Sequence, residues 1–297
     1  MDKKELFPGD TPLTIVALRK GVPPFAGPLL DSDLECLAGE SACFDGETTG
    51  CADIWLAGEG TSTFDVAWDL VAQGRLGPWG AVLCSRQQAG RGQMRRPWYS
   101  PPGNLYVSFL LPQDPLFKEE AAAVLVGSLL AQSLEGMGHC IFLKWPNDLV
   151  NAVPAKVGGL LLEERDGLVM AGLGLNLVSA PDYSHLRNEQ SLPGALLSSC
   201  FRDGCGKNLA PLPLWCSLVS HAKIVYEFHV TGKLFSLLMQ KADRFLTFKG
   251  RQVRLDDARV EYPCLCAGLG PGGGLVLVPR GGTAFEVFQG SVFLADS

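Results

Sequence analysis

The texture of the chain changes at two points, and those changes constrain its fold more than any other feature. A regular pattern of apolar strands and helices begins at Ile54, and after Lys249 only strand signals remain. Ser62-Thr63 precede an amphipathic stretch, Phe64 to Val71, as a capped helix would. Ala81 to Cys84 is a short apolar run of buried-strand type, and Leu105 to Leu111, Cys140 to Lys144, Val157 to Glu163 and Val169 to Leu177 also read as strands. Glu119 to Leu134 reads as a second helix, and Pro213 to Phe245 carries apolar residues at helical spacing. Arg251 to Leu255, Arg259 to Gly268, Gly274 to Val278 and Ala284 to Phe293 are short strands between Gly/Pro turns. That tail is a β module of about 50 residues, at the low end of what folds alone, so it is expected to lean on the rest. The division expected is residues 1–50 as an extension of unknown role, 51–246 as the main domain and 247–297 as the β module. Within the extension only Leu13 to Leu18 has strand character.

With 297 residues, 47% hydrophobic and 19% charged, the chain has ample material for a core. Its net charge of -6 argues against a general nucleic-acid coat, which needs clustered positive charge, but leaves room for a local basic pocket. No signal-like segment opens the sequence, and the run Ala121 to Leu134 is interrupted by Gly127, Ser128 and Gln132. It falls short of the ~18–20 apolar residues of a membrane helix, so a soluble, cytoplasmic chain is expected. The 10 cysteines include no Cys-x-x-Cys, and Cys36, Cys43 and Cys51 have no histidine near them. Reduced thiols are the expectation, with no protein metal site.

Four segments carry chemistry. Between Leu70 and Gln113 there is no acid, yet Arg75, Arg86, Arg91, Arg95 and Arg96 all fall there. The run Gln87 to Trp98 interleaves those arginines with Gly90 and Gly92. Glycine allows close backbone approach, and guanidinium forks suit phosphate or carboxylate. On composition alone a solvated Arg/Gly loop or a small nucleic-acid patch fits as well as a pocket. Lys144-Trp145-Pro146-Asn147-Asp148 follows a strand and projects Asn147 and Asp148 from a turn, although an ordinary Asx turn reads the same way. Lys156-Val157-Gly158-Gly159 sets a lysine at the mouth of a strand. Gly172-Leu173-Gly174-Leu175-Asn176 ends an apolar run on one amide, a group able to read an adenine edge. It is neither a Walker loop nor a dinucleotide fingerprint.

In this order the four segments, with Ser62-Thr63 before them and Ser100-Pro101 and Asn104-Leu105 between, resemble the catalytic core of the biotin protein ligases. The resemblance runs from about Ile54 to the C-terminus. It implies an α/β (α+β) fold: a mixed sheet flanked by helices, a class II synthetase-like biotin/lipoate ligase core, with a small C-terminal SH3-like β-barrel. It implies ATP-dependent activation of biotin as biotinyl-5′-adenylate, then transfer to one lysine of a biotin carboxyl carrier domain of a biotin-dependent carboxylase. By family likeness Ser62, Thr63, Gln87, Gly90, Arg91, Lys156 and Gly159 form the biotin site. Arg91, Gln93, Arg95, Arg96, Trp98, Asn147, Lys156 and Asn176 form the ATP and adenylate site, with Trp98 stacking on adenine. Arg91, Lys156 and Asp148 are the catalytic candidates, Asp148 for helping the acceptor lysine lose its proton. Magnesium would bridge the phosphates, held by ATP and water, and a homodimer through the sheet is possible.

Two departures matter. The family loop continues Gly-Arg-Gly-Arg-Arg-Gly-Arg, whereas this one reads Gly90-Arg91-Gly92-Gln93-Met94-Arg95-Arg96. Gln93 thus stands where a family arginine helps retain the adenylate, with Arg95 two residues on. Residues 1–50 show no helix-turn-helix pattern, so a ligase without a DNA-binding repressor arm is expected. Two other readings stay open: a ligase for lipoate or another acyl acid, and a non-catalytic sensor that keeps the pocket.

Overall fold

Strand runs without polar alternation need cover on both faces of a sheet, and that is the architecture found. The computed structural model describes residues 13–38, 53–181, 192–201, 209–230, 232–256 and 262–295. Cys43, Cys51 and the expected strand start at Arg259 lie outside them. An eight-stranded mixed sheet is formed by β1 (Ile15–Ala17), β2 (Ile54–Gly60), β3 (Ala81–Gln87), β4 (Leu105–Leu110), β5 (Phe142–Lys144), β6 (Asp148–Val150), β7 (Lys156–Arg165) and β8 (Leu168–Leu175). Its order is β1-β2-β3-β4-β8-β7-β6-β5, parallel from β1 to β3 and antiparallel beyond.

Side chains alternate between two cores. Trp55, Val82, Leu110 and Met170 face one layer, where α2 (Thr63–Ala72) contributes Phe64, Val66, Ala67 and Leu70. Ile54, Leu56, Leu83, Val107 and Phe109 face the other, covered by α1 (Asp31–Ala38), α3 (Ala122–Gly136) and α4 (Pro211–Val225). Phe109 packs on Trp215 of α4 with ring centroids 5.0 Å apart. No helix among the described residues is long and apolar enough to cross a membrane.

The tail is a five-stranded antiparallel sheet, ordered β12-β11-β10-β9-β13, made of β9 (Gln252–Leu255), β10 (Cys264–Leu269), β11 (Leu275–Pro279), β12 (Phe285–Val287) and β13 (Val292–Leu294). Its inward residues Val253, Leu255, Cys264, Cys266, Leu275 and Leu277 join the core that includes Met239 of α5 (Phe235–Ala242). The module therefore completes its core on the main domain rather than alone.

Several boundaries differ from the sequence reading. The second helix begins at Ala122, because Asp114 caps a separate turn over Pro115–Lys118 by accepting from Leu116 N–H at 3.0 Å. The helical run from Pro213 breaks into α4 and α5, with Gly232 at φ 71° between them. The last strand run splits into β12 and β13 around Gly290, at φ 123°. α1 and β6 were not anticipated.

Candidate functional site

The four segments converge at one end of β3, β7 and β8. Thr63, the first residue of α2, links the first two. Its backbone N–H and hydroxyl donate to Gln87 Oε1 at 2.9 and 3.3 Å, and the hydroxyl also meets Ser108 Oγ at 2.7 Å. Gln87 Nε2 donates to Ser100 Oγ at 3.0 Å, and that hydroxyl donates to the Trp98 carbonyl at 3.0 Å. Gly90 must be glycine here, since a Cβ would stand 2.6 Å from Ser100 Oγ and 2.9 Å from Gln87 Nε2. Ser62 Oγ caps α2, accepting from Phe64 N–H at 3.4 Å.

The loop after β3 doubles back on itself. Trp98 N–H donates to Gly90 O at 2.8 Å and Gly92 N–H to Arg96 O at 2.7 Å. Gln93, Met94 and Arg95 form the tip, with Met94 and Arg95 at φ 54° and 57°. Left-handed backbone at two consecutive non-glycine residues is costly, which marks the tip as strained. Arg95 is exposed there and Arg96 half-buried. Arg91 points away from the tip: its Nε donates to Glu163 Oε1 at 2.8 Å and its Nη1 to Asp65 Oδ1 at 3.1 Å.

Lys156, at the start of β7, joins the remaining segments. Its Nζ lies 2.6 Å from Asp148 Oδ1 and 5.0 Å from the centre of the Trp98 ring. Lys144 shares the same carboxylate, with Nζ 3.6 Å from Oδ2, and its ammonium lies 5.2 Å from the Phe293 ring of β13. Burial lowers the pKa of Lys144, and the charges of Lys156 and Arg96 lower it further against the pull of Asp148. For Asp148, burial would raise the pKa, but Lys156 and then Lys144 outweigh it and hold the carboxyl below its ordinary value. Lys144, Lys156 and Arg96 against the single acid Asp148 give the cluster excess positive charge, as a polyphosphate site requires.

Trp98 lies over Gly159 of β7 and Gly174 of β8, which are directly paired in register. A Cβ at Gly174 would stand 2.7 Å from three indole atoms, and one at Gly172 would run into the Phe64 ring. The Gly-x-Gly spacing thus admits two aromatic rings onto one strand. Gly174→Ala is expected to push the indole off the sheet, because an added Cβ overlaps the ring. The tryptophan emission spectrum reads the displacement, and an unaltered spectrum would show that the ring keeps its place over Gly159 and Gly174.

The two asparagines act on the backbone. Asn147 Nδ2 donates to Leu160 O at 2.6 Å, and Asn176 Nδ2 donates to the carbonyls of Lys156 and Ala195, each at 3.2 Å. In this arrangement both amide hydrogens of Asn176 are taken by backbone carbonyls, which leaves its Oδ1 as the side-chain atom able to meet a ligand. Asn104 is a loop staple, with Oδ1 accepting from the N–H groups of Leu177, Val178 and Ser179. Sequence reasoning missed Asp65, Glu163 and Lys144. Asp65 reads as a helix-start acid and Glu163 as a strand-end acid, whereas Lys144 stood inside a motif already singled out.

Among the described residues no three His, Cys, Asp or Glu side chains gather as a metal-ligand group. Both oxygens of Asp148 face lysines, so the residues at the cation cluster do not form a cage for magnesium.

Residues 59–176 match the model of the Biotin/lipoate A/B protein ligase family. Over 110 residues the chain is 36% identical to the bifunctional ligase/repressor BirA of Bacillus subtilis, covering 34% of this chain and 33% of that protein. Over 111 residues it is 35% identical to the biotin–[acetyl-CoA-carboxylase] ligase of Paracoccus denitrificans, covering 34% and 45%. These matches thus span between a third and under half of the curated relatives' length. In three dimensions the chain is similar to the biotin protein ligase of Aquifex aeolicus in complex with biotin and ATP, with TM-score 0.64, 22% identity, and coverage of 81% of this chain and 97% of that one.

Proposed function

We propose that the protein is an ATP-dependent biotin ligase, which activates biotin as biotinyl-5′-adenylate and transfers it to a lysine of a biotin carboxyl carrier domain. The observation that carries this reading is the convergence on Lys156, where Asp148, Trp98 and Asn176 meet the lysine at the mouth of the glycine-paired strands. The names of the relatives support biotin as the acid.

The chemistry follows from charge. A carboxylate attacking a triphosphate brings like charges together, so the work is positional and electrostatic. Lys156, half-buried with its ammonium at the open side of the cluster, would meet the carboxylate and α-phosphate, and Arg91 would donate from across the loop. Thr63 and Gln87, already aligned by their mutual hydrogen bonds, would receive the polar end of biotin, with Ser62, Gly90 and Gly159 around them. Magnesium, arriving with the nucleotide, would supply charge neutralisation while held by phosphate and water. In the second step an acceptor amine with an ordinary pKa of ~10.4 must first lose a proton. Asp148 was the expected helper, but a carboxylate gripped by two lysines is a weak base, so its weight here falls on holding Lys156.

Biotin-dependent exchange of pyrophosphate into ATP tests the first step, and labelling of a carrier domain tests the second. Exchange that follows lipoate instead of biotin, or no exchange at all, would replace this reading by one of the two alternatives. Gln93 gives a further expectation. A neutral side chain in the loop should let the adenylate escape, so Gln93→Arg is expected to slow its release several-fold, consistent with one added charge-assisted hydrogen bond. Equal leakage of labelled adenylate from both proteins would refute this.

A further inference from the structure

We propose that Glu163 and Asp65 are positioning residues: together they clamp the guanidinium of Arg91 and leave its Nη2 as the donor presented to substrate. This rests on the ligase reading for its substrate. The clamp comes from two elements far apart in sequence, the first turn of α2 and the outer half of β7. Glu163 takes the Nε edge at 2.8 Å and Asp65 takes Nη1 at 3.1 Å.

What distinguishes this from an ordinary surface ion pair is that each acid is itself held by its second oxygen. Glu163 Oε2 accepts from Trp68 Nε1 at 3.1 Å and from Arg165 Nη2 at 3.1 Å. Asp65 Oδ2 accepts from Thr61 Oγ1 at 2.7 Å. Arg91, Asp65 and Glu163 have side chains only 24%, 24% and 21% exposed, so water competes weakly for these bonds. The Phe64 ring lies 5.3 Å below the guanidinium carbon and closes one face. Among the described residues Nη2 has no acid partner.

The charges give the clamp a distinct role. Arg91 and Arg165 cancel against Asp65 and Glu163, so this corner of the site has no net pull on a polyanion. The net positive charge sits instead with Lys144, Lys156 and Arg96. Long-range attraction of the nucleotide therefore belongs to the lysines, and Arg91 contributes a fixed direction. Burial alone would ease proton loss from Arg91, but Glu163 and then Asp65 more than reverse that, keeping the donor charged.

Two readouts test the clamp, one of them independent of activity. In protein carrying 15N-labelled arginine, the Arg91 Nε–H signal, assigned by its loss in Arg91→Lys, should exchange slowly with solvent. Glu163→Ala should remove that protection and Glu163→Gln, which still accepts a hydrogen bond, should keep most of it. A wild-type signal exchanging as fast as that of exposed Arg95 overturns the proposal whatever the enzyme does. In biotin-dependent pyrophosphate exchange, Glu163→Ala is expected to lower kcat about tenfold to a hundredfold with little change in KM for ATP, and Glu163→Gln to restore most of it. Unchanged kcat in an active wild-type background overturns it too. If wild type gives no exchange, the ligase reading fails and the arginine signal still decides the clamp. Asp65→Asn repeats both measurements from the helix side should Glu163→Ala fail to fold.

Discussion

Replacing Lys156 by alanine is expected to lower biotin-dependent exchange of pyrophosphate into ATP by about 100- to 1,000-fold, the range seen when one preorganised donor to a developing charge is removed. The argument is one of access. Two lysines share Asp148, but Lys144 has a side chain 8% exposed beside Phe293, whereas Lys156 is 32% exposed and stands beside Trp98 at the glycine pair. Lys156 is thus the ammonium a ligand can reach, and Lys144 is too enclosed to replace it. Lys156→Arg keeps the charge yet puts a planar fork where a compact ammonium fits between carboxylate and indole. It is expected to recover less than about a tenth of the activity. The alanine variant should remain folded, since its carbonyl and N–H keep their bonds to Asn176, Ala195 and Pro193. Exchange within about threefold of wild type, a difference well under one decade of rate, would remove Lys156 from the reaction.

Much of this site is legible in the sequence because its parts are short-range. Ser62-Thr63 ahead of an amphipathic run fixes a helix start, and Lys156 before Gly158-Gly159 fixes a strand mouth. The reason for the glycines is less local. Gly172 and Gly174 are small because Phe64 of α2 and Trp98 of the loop reach the same strand, which no spacing along β8 reveals. Asp65 and Glu163 escaped notice on the same ground: they lie 98 residues apart by number and meet only through Arg91. The strand β6 was hidden because Lys144 to Asp148 has the composition of a turn, and Asp148 is both the turn's end and the first residue of a strand paired with Lys144. Helix ends slipped where a cap intervened, as at Asp114. The apolar runs themselves read as strands, and Ala81 to Cys84 as a buried one, because the large sheet carries a core on each face and its central strands need no polar alternation.

Asp148→Asn is expected to produce the largest combined effect on stability and activity, and its two half-reactions separate two roles. Removing the carboxylate charge leaves Lys144 and Lys156 as close ammonium groups with no acid between them. Breaking a buried pair from one side costs about 3 kcal/mol or more, and Lys144 is the more enclosed partner that bears it. Chemical denaturation measures that loss. The pH dependence has a fixed sign. The native pKa of Asp148 is depressed, so its stabilising contribution is complete above the unfolded carboxyl value of ~3.9 and is lost as pH falls through the lower native value. The variant should therefore show a shallower loss of stability in acid than wild type. For activity, a carboxylate held this low is a poor base toward an ammonium but a good anchor for Lys156. Exchange, which needs Lys156 in place for adenylation, should fall more than transfer of biotin from preformed adenylate to a carrier domain. Both rates are measurable on the same protein at the same pH. If transfer falls as far as exchange or further, and recovers as the pH is raised to deprotonate the acceptor amine, Asp148 is the group that assists the amine's proton loss, and the anchoring role is secondary.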